Sequence, residues 1–199
     1  MFEKSNMIRE IEWGAYYEHL TSLENKLLSE NLRFALGEIS FEYGEKLGIQ
    51  ISRNFELLDE NFDILGDGSV IMVIGEYVNW GYELEASSAS FRKVSGTIGY
   101  EAGGFWTGNI SSLTLGLIIR PVPGINLGSG CRHVEVTAQN NGFNTNSSQM
   151  NLGLDFIPNI SLSSNIQFDN ASEFLGTNPC LRWIITLWTE NFLCIITIG

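Results

Sequence analysis

One pattern constrains the fold of this chain more than any other: apolar and polar residues alternate through segment after segment. Between residues 160 and 168 the odd positions carry serine, asparagine and glutamine, whereas four even positions are apolar: Ile160, Leu162, Ile166 and Phe168. Because successive side chains of a β-strand point to opposite faces, this segment is predicted to be a strand with one apolar and one polar face. The apolar face requires an apolar partner, either a protein core or lipid.

The same alternation predicts strands along almost the whole chain. A phase shift in the second strand predicts a β-bulge near Gly37, and the segments 44–46 and 120–124 carry strong turn signals. The polar segments 139–148 and 171–179 are predicted to be loops, and 58–75 a long connection. The predicted strands cover about residues 8–20, 27–43, 47–57, 76–90, 96–105, 110–119, 125–138, 150–156, 159–168, 180–188 and 192–199.

The lengths of the predicted connections suggest how these strands are joined. Short turns are predicted at 44–46, 91–95, 120–124, 157–159 and 189–191, and most of the other connections are longer and more polar. Short turns on one rim and longer loops on the other are typical of outer-membrane barrels, and strands of about ten residues match a tilted crossing of the bilayer. The predicted fold is all-β: an antiparallel up-and-down meander of about 11 long strands, forming a partial transmembrane β-barrel as one domain over residues 1–199.

A soluble antiparallel barrel or sandwich shows the same alternation, with its apolar face turned inward. Two features favour a barrel whose apolar face points outward and contacts lipid. The polar positions are rich in Ser, Asn, Gln and Gly and short of Lys, and the predicted strands exceed the five or six residues usual in soluble sheets. No run of eighteen apolar residues occurs, so the sequence contains no candidate transmembrane helix.

Charge and composition narrow the function classes. The net charge is −12, from 11 basic and 23 acidic residues, and a chain with no basic stripe makes a poor nucleic-acid binder. Three cysteines without a CxxC motif argue against a disulfide framework and against a zinc site, and the two histidines make a metal cluster improbable. No catalytic residue, metal ligand or cofactor is predicted, and the chain is expected to be non-enzymatic.

Five segments, in this order, carry a resemblance to a known family: "SRNFELLDENFDI", "IGEYVNWGYELEASSASFRKVSG", "GLIIRPVPGINL", "FIPNISLSSNIQFDNASEFLGTN" and "LRWII". They resemble the C-terminal barrel region of a family of uncharacterised bacterial envelope proteins, and the resemblance covers residues 8–188. Full-length members carry an N-terminal module similar to family 9 carbohydrate-binding modules. The resemblance implies outer-membrane strands, with the proline-containing short turns facing the periplasm.

The chain also departs from that family. The carbohydrate-binding module and the signal peptide that the resemblance implies do not lie in this sequence, and residues 189–199 diverge from the family pattern. We therefore expect a fragment lacking both ends of the barrel, with residues 1–7 as an N-terminal tail and 189–199 as a truncated C-terminal end.

Two sets of side chains are candidates for functional surfaces. Aromatic residues near strand ends are expected to form the lipid-facing girdle of a barrel. Acidic residues of the polar parity are expected to line a lumen that prefers cations. The girdle set is Trp13, Phe41, Tyr43, Phe55, Trp80, Phe156, Phe168 and Trp183; the lumen set is Glu10, Glu12, Glu83, Glu85, Glu101 and Asp155.

Three weaker constellations favour structural interpretations. Asp59, Asn61 and Asp63 begin like a calcium loop, but position six is not glycine and position twelve is not glutamate, which indicates an acidic surface loop. His133 is predicted to be a polar histidine at a rim rather than part of a Ser–His–acid set. Three loop aromatics that could stack on sugars are expected to be girdle or loop-packing residues: Phe105, Trp106 and Phe143.

The first functional hypothesis is a non-enzymatic segment of a bacterial outer-membrane β-barrel with a structural or transport role. Its expected partners are outer-membrane lipid, the barrel-assembly machinery and, through the absent module, glycans. The alternatives are a soluble β-barrel or sandwich that binds a ligand or carbohydrate, and a membrane-embedded hydrolase.

Overall fold

The structure is a computed structural model, which describes residues 7–198 except 65, 67, 69, 139–140 and 187–188. Among these residues there is no helix that could span a membrane. The described regular structure consists of β-strands: β1 (Ile8–Ile11), β2 (Gly14–Thr21), β3 (Leu27–Phe41), β4 (Lys46–Leu58), β5 (Phe62–Asp63), β6 (Ile71–Met72), β7 (Gly75–Ser87), β8 (Val94–Phe105), β9 (Gly108–Ile119), β10 (Ile125–Ala138), β11 (Asn141–Ile157), β12 (Ile160–Asp169), β13 (Phe174–Thr186), β14 (Thr189–Cys194) and β15 (Thr197–Ile198).

Thirteen of the described strands form one large sheet. Its order is β1-β3-β4-β7-β8-β9-β10-β11-β12-β13-β14, with β2 beside β3 and β15 beside β13, and β5 and β6 form a separate two-stranded sheet. Neighbours in the sheet are mostly neighbours in the chain, which confirms the predicted all-β antiparallel meander. In this order of described strands, β1 and β14 are the two outermost strands.

The chain divides into two compact units. Unit 1 takes in the described residues of Met1–Ala86, Gly99–Leu113 and Val134–Asn144. Unit 2 takes in those of Ser87–Ile98, Thr114–His133 and Thr145–Gly199. Strands β7 to β11 therefore contribute residues to both units.

In unit 1, the predicted bulge at Gly37 is confirmed. Gly37 has a φ of +83°, and the register between β3 and β4 shifts between Ala35 and Gly37. The strand predicted over residues 8–20 is instead broken into β1 and β2, which both pair with β3. The break at Glu12 lies against the bulge, where the Glu12 N–H donates to the Glu38 carbonyl at 3.1 Å. An irregularity in β3 thus forces one in its partner.

The connection between β4 and β7 contains the short sheet of β5 and β6 and carries a small core within unit 1. Val70 and Met72 are buried and form a cluster with Ala138. Trp106 packs against this cluster, and its Nε1–H donates to the Glu56 carboxylate at 2.8 Å. This segment, predicted as a plain connection, is therefore anchored to the ends of the strands.

Two predicted loops are strands. The segment 139–148 belongs to β11 from Asn141 onward, and the segment 171–179 belongs to β13 from Phe174 onward. Two residues separate β10 from β11, and four separate β12 from β13. Both connections are therefore short, and the predicted alternation of short and long connections is wrong there. Strand β12 pairs with both β11 and β13 and supplies backbone partners to their polar residues.

The end of the chain also differs from the prediction. Residues 189–191, predicted as a turn, lie within β14, and the last predicted strand is divided between β14 and β15. The predicted strand over 180–188 runs as part of β13 to Thr186, and its last two positions fall outside the described residues.

Candidate functional site

In unit 2, the strand registers place the apolar residues on one face of the sheet. Directly opposed residues of an antiparallel pair share a face. Four leucines lie directly opposite one another across four strands, in the order Leu154, Leu162, Leu181 and Leu193. Further apolar pairs on the same face are Met150 with Ile166, Phe168 with Leu175, and Ile160 with Trp183. The alternation read from the sequence therefore becomes a continuous apolar surface.

Most side chains of this apolar surface are exposed, and Leu154 and Leu162 are half-buried. Trp183 is 51% exposed and Phe168 is 45% exposed. In unit 1, strand β7 presents three further exposed apolar side chains of one parity, Trp80, Tyr82 and Leu84. Large contiguous apolar surfaces of this kind mark contacts with protein, ligand or membrane.

The opposite face of unit 2 is polar and mostly uncharged. Its central row consists of three directly opposed asparagines, Asn151, Asn165 and Asn178. Neighbouring rows carry Gln149 opposite Gln167, and Asp155 opposite Ser161. In these rows the sheet thus carries amides and hydroxyls on one face and mainly hydrocarbon on the other.

The predicted girdle residues are spread over both units. Trp13 lies between β1 and β2, Tyr43 lies in the turn after β3, and both are strongly exposed. Phe41 ends β3 and is half-buried, as is Phe55 in β4. Those in unit 2, Phe156, Phe168 and Trp183, are exposed, as is Trp80 of unit 1. Only Phe168 and Trp183 are placed on one face by the registers above, and lipid contact remains a prediction for the whole set.

The predicted lumen acids are divided between the two units. All six are exposed, and Asp155 alone belongs to unit 2. Two of the others face polar partners: Glu10 lies opposite Ser40, and Glu83 accepts a hydrogen bond from Gln50 at 3.1 Å. The remaining members of the set are Glu12, Glu85 and Glu101. The described residues contain no group of three or more acids, histidines or cysteines that could hold a metal ion.

Sequence reasoning missed a charged network in unit 1. The Arg53 guanidinium donates to Glu30 at 2.6 Å, and the Tyr17 hydroxyl donates to the same carboxylate at 3.1 Å. By register, Glu30 and Arg53 share a face with the apolar pair Phe34 and Ile51. The apolar stretch of this face therefore ends at ionised groups, a feature with no signal in the sequence because the two partners lie on different strands.

The structure also corrects the cysteine prediction. Cys180 and Cys194 lie directly opposite each other on β13 and β14 and form a disulfide, whereas Cys131 is free and exposed. An odd count argues against a framework of several bridges but leaves room for one bridge. Disulfides persist in oxidising compartments such as the periplasm.

Loss of the disulfide should destabilise the β13–β14 pair. Closing a loop of about 15 residues contributes roughly 3 kcal/mol in the chain-entropy model. We expect Cys180→Ala to lower the free energy of unfolding by about that amount, measured by chemical denaturation without reductant. Cys131→Ala is the matched control and should leave it unchanged. Equal effects of the two substitutions would show that the bridge does not form in the native protein.

The weaker candidates take structural roles. The Asp59 carboxylate pairs with Lys26 at 2.7 Å, and Asp63 accepts the Gly68 N–H at 2.7 Å; residues 65, 67 and 69 of this loop fall outside the described residues. His133 Nδ1 lies 2.6 Å from the Asn146 amide oxygen, which is not the acid of a Ser–His–acid set. Phe105 and Phe143 belong to β8 and β11 rather than to loops, and Phe143 packs with Trp106 around the unit 1 core.

A shallow depression of about 520 Å³ lies on unit 1. Trp80 and Tyr82 line it, together with small residues of β8 such as Ala102 and Gly104. Asn109, Ser111, Glu135 and Thr137 contribute polar groups to the same lining. Two exposed aromatic rings beside amide, hydroxyl and carboxylate groups form a surface suited to a sugar or to the interfacial zone of a bilayer.

No family model, no curated protein and no solved structure matches this chain. The roles of its residues therefore have to be argued from the two faces of the sheet.

Proposed function

We propose that this chain is part of a non-enzymatic bacterial outer-membrane β-barrel with a structural or transport role. One observation carries the proposal: the row of four leucines and the row of three asparagines lie on opposite faces of the same strands. The leucine face contacts lipid, and the asparagine face borders an aqueous interior. This is the arrangement of side chains in a transmembrane barrel.

The exposure of the apolar face favours lipid over a soluble core. The buried apolar residues among those described are Val70, Met72, Ala89, Val136 and Ala138, none of which belongs to the leucine face. A soluble sandwich would bury that face against a second sheet about 10 Å away. Contact with the hydrocarbon of lipid removes the same apolar surface from water, which is worth about 25 cal/mol per Å². It does so without a second sheet.

Strand length and the polar face support the same proposal. Strands β8 to β11 contain 12 to 17 residues, more than the 9–11 that cross the hydrocarbon core. Amides, hydroxyls and glycines on the other face suit a hydrated lumen, where the exposed acids favour passage of cations. Outer-membrane lipid and the barrel-assembly machinery are the partners that this function requires.

Association with lipid tests the proposal. Purified protein diluted from denaturant into phosphatidylcholine vesicles should float with them and should resist extraction by alkaline carbonate. Recovery as a soluble monomer that ignores vesicles would contradict the proposal.

The depression beside Trp80 favours a second candidate function, the binding of a carbohydrate by a soluble β-protein. Stacking of a sugar on Trp80 or Tyr82, with hydrogen bonds to Glu135, would account for the lining. Soluble monomeric protein whose tryptophan fluorescence responds to oligosaccharides, with the response lost in Trp80→Ala, would establish this function in place of the first.

A further inference from the structure

Basic residues are distributed very unevenly between the two units. Unit 1 contains nineteen acidic and six basic residues in the sequence, whereas unit 2 contains four acidic and five basic residues. Unit 2 is therefore slightly positive in a chain of net charge −12. Three of its five cations, Arg92, Lys93 and Arg120, lie on two turns of the sheet.

These two turns are bonded directly to each other. Residues 88–93 connect β7 to β8, and residues 120–124 connect β9 to β10. The Arg120 N–H donates to the Lys93 carbonyl at 2.6 Å, and the Arg120 guanidinium donates to the Ser90 carbonyl at 2.8 Å. Arg120 thus joins the second turn to the first through two backbone carbonyls of the first turn.

A groove of about 420 Å³ lies between the turns and is lined by all three cations. Pro121 and Pro123 line it as well, and their fixed φ angles restrict the shape of the second turn. Asp155 is the acid in the lining, and its N–H donates to the Gly124 carbonyl at 2.7 Å. Three positive groups against one negative group leave the groove with an excess of positive charge.

Exposed apolar side chains flank the same groove. Phe91 is 78% exposed at the first turn, and Val122 is 53% exposed at the second. Cations together with exposed aromatic and aliphatic groups are the composition of a surface that enters the headgroup region of a membrane.

We propose that this groove, the Arg92–Arg120 groove, binds the phosphate of an anionic phospholipid headgroup. Guanidinium groups offer several N–H donors to phosphate oxygens, and Lys93 adds a point charge. Phe91 and Val122 contact the acyl region beside the bound headgroup. The inference rests on the proposed membrane function, to which it adds a lipid class and a position.

Vesicle binding with matched variants tests the inference. The wild-type chain should bind vesicles containing phosphatidylglycerol more tightly than vesicles of phosphatidylcholine alone. The double substitution Arg92→Gln/Lys93→Gln should weaken binding to the anionic vesicles about thirty-fold, since each cation near an anionic surface contributes a factor of about five. The control Arg9→Gln/Arg33→Gln removes the same charge from unit 1 and should change binding less than about two-fold.

Asp155→Asn should have the opposite effect: removing the one acid of the groove should tighten binding to phosphatidylglycerol vesicles about five-fold.

Inorganic phosphate as competitor distinguishes a headgroup from a free anion: it should displace little of the vesicle-bound protein. Full displacement by inorganic phosphate, or an unchanged affinity of the Arg92→Gln/Lys93→Gln variant, would overturn the inference. Equal binding to both kinds of vesicle would overturn it while leaving the membrane function intact, and no binding to either would contradict both.

Discussion

Replacing Gly37 with alanine should be among the most destabilising single substitutions in unit 1. Gly37 has a φ of +83°, which costs an L-residue about 1–2 kcal/mol. A Cβ at this position would overlap the Glu12 carbonyl oxygen, so the backbone of residue 12 would have to move. We expect the free energy of unfolding to fall by about 3 kcal/mol or more, because backbone strain and lost pairing add together.

Gly14→Ala is the matched control for this substitution. A Cβ on Gly14 meets no heavy atom within 4 Å, so its effect should stay within about 0.5 kcal/mol. Denaturation compares the two variants, and amide hydrogen exchange of residues 8–11 tells whether β1 separates from β3. Equal stabilities of Gly37→Ala and Gly14→Ala would mean that β1 and β3 do not meet at the bulge.

Placing arginine on the apolar face of β12 should have the second large effect. Ile166 lies opposite Met150 and Thr177 near the middle of the strand. Arginine on the lipid face of a barrel costs about 2–4 kcal/mol near the bilayer midplane. We therefore expect Ile166→Arg to lower the free energy of unfolding in phosphatidylcholine vesicles by that amount.

The adjacent residue provides the control, because Asn165 lies on the other face between Asn151 and Asn178. Asn165→Arg should change the free energy of unfolding by less than about 0.5 kcal/mol, as expected for a hydrated position. If Ile166→Arg changed the free energy of unfolding as little as Asn165→Arg, the face of β12 that carries Ile166 would be in water rather than in lipid.

The features that could be predicted are those carried by local patterns. Alternation in β12 depends on neighbours in sequence, and it identified the strand with the bounds that the structure gives within a residue or two. The bulge was predictable because Gly37 coincides with a phase shift of the apolar positions. Glycine permits the positive φ that such a bulge requires.

Other features depend on partners that the sequence does not identify. Ser147 and Gly176 read as loop residues, yet both lie in strands because β12 supplies partners at Asp169 and Gln167. The break after Ile11 is likewise caused by a bulge in a different strand. In each case, hydrogen bonding across the sheet outweighs local propensity.

The candidate sites follow the same division. The two faces of β12 were predictable, since they require only the parity of residues along one strand. The Cys180–Cys194 bridge, the Glu30–Arg53 pair and the Arg92–Arg120 groove were not, since each joins residues from different strands or turns. Their sequence signals, a lone cysteine or a single arginine, are too common to indicate a site.

A nitroxide scan along β12 in lipid vesicles tests the central claim most directly. Labels are placed singly at residues 161–168 in a Cys131→Ser background, which removes the free thiol and leaves the disulfide in place. We expect a period of two: labels at even positions collide with oxygen dissolved in the bilayer, and labels at odd positions collide with a water-soluble nickel complex. Even positions reached by the nickel complex, or shielded from both reagents, would contradict contact of this face with lipid.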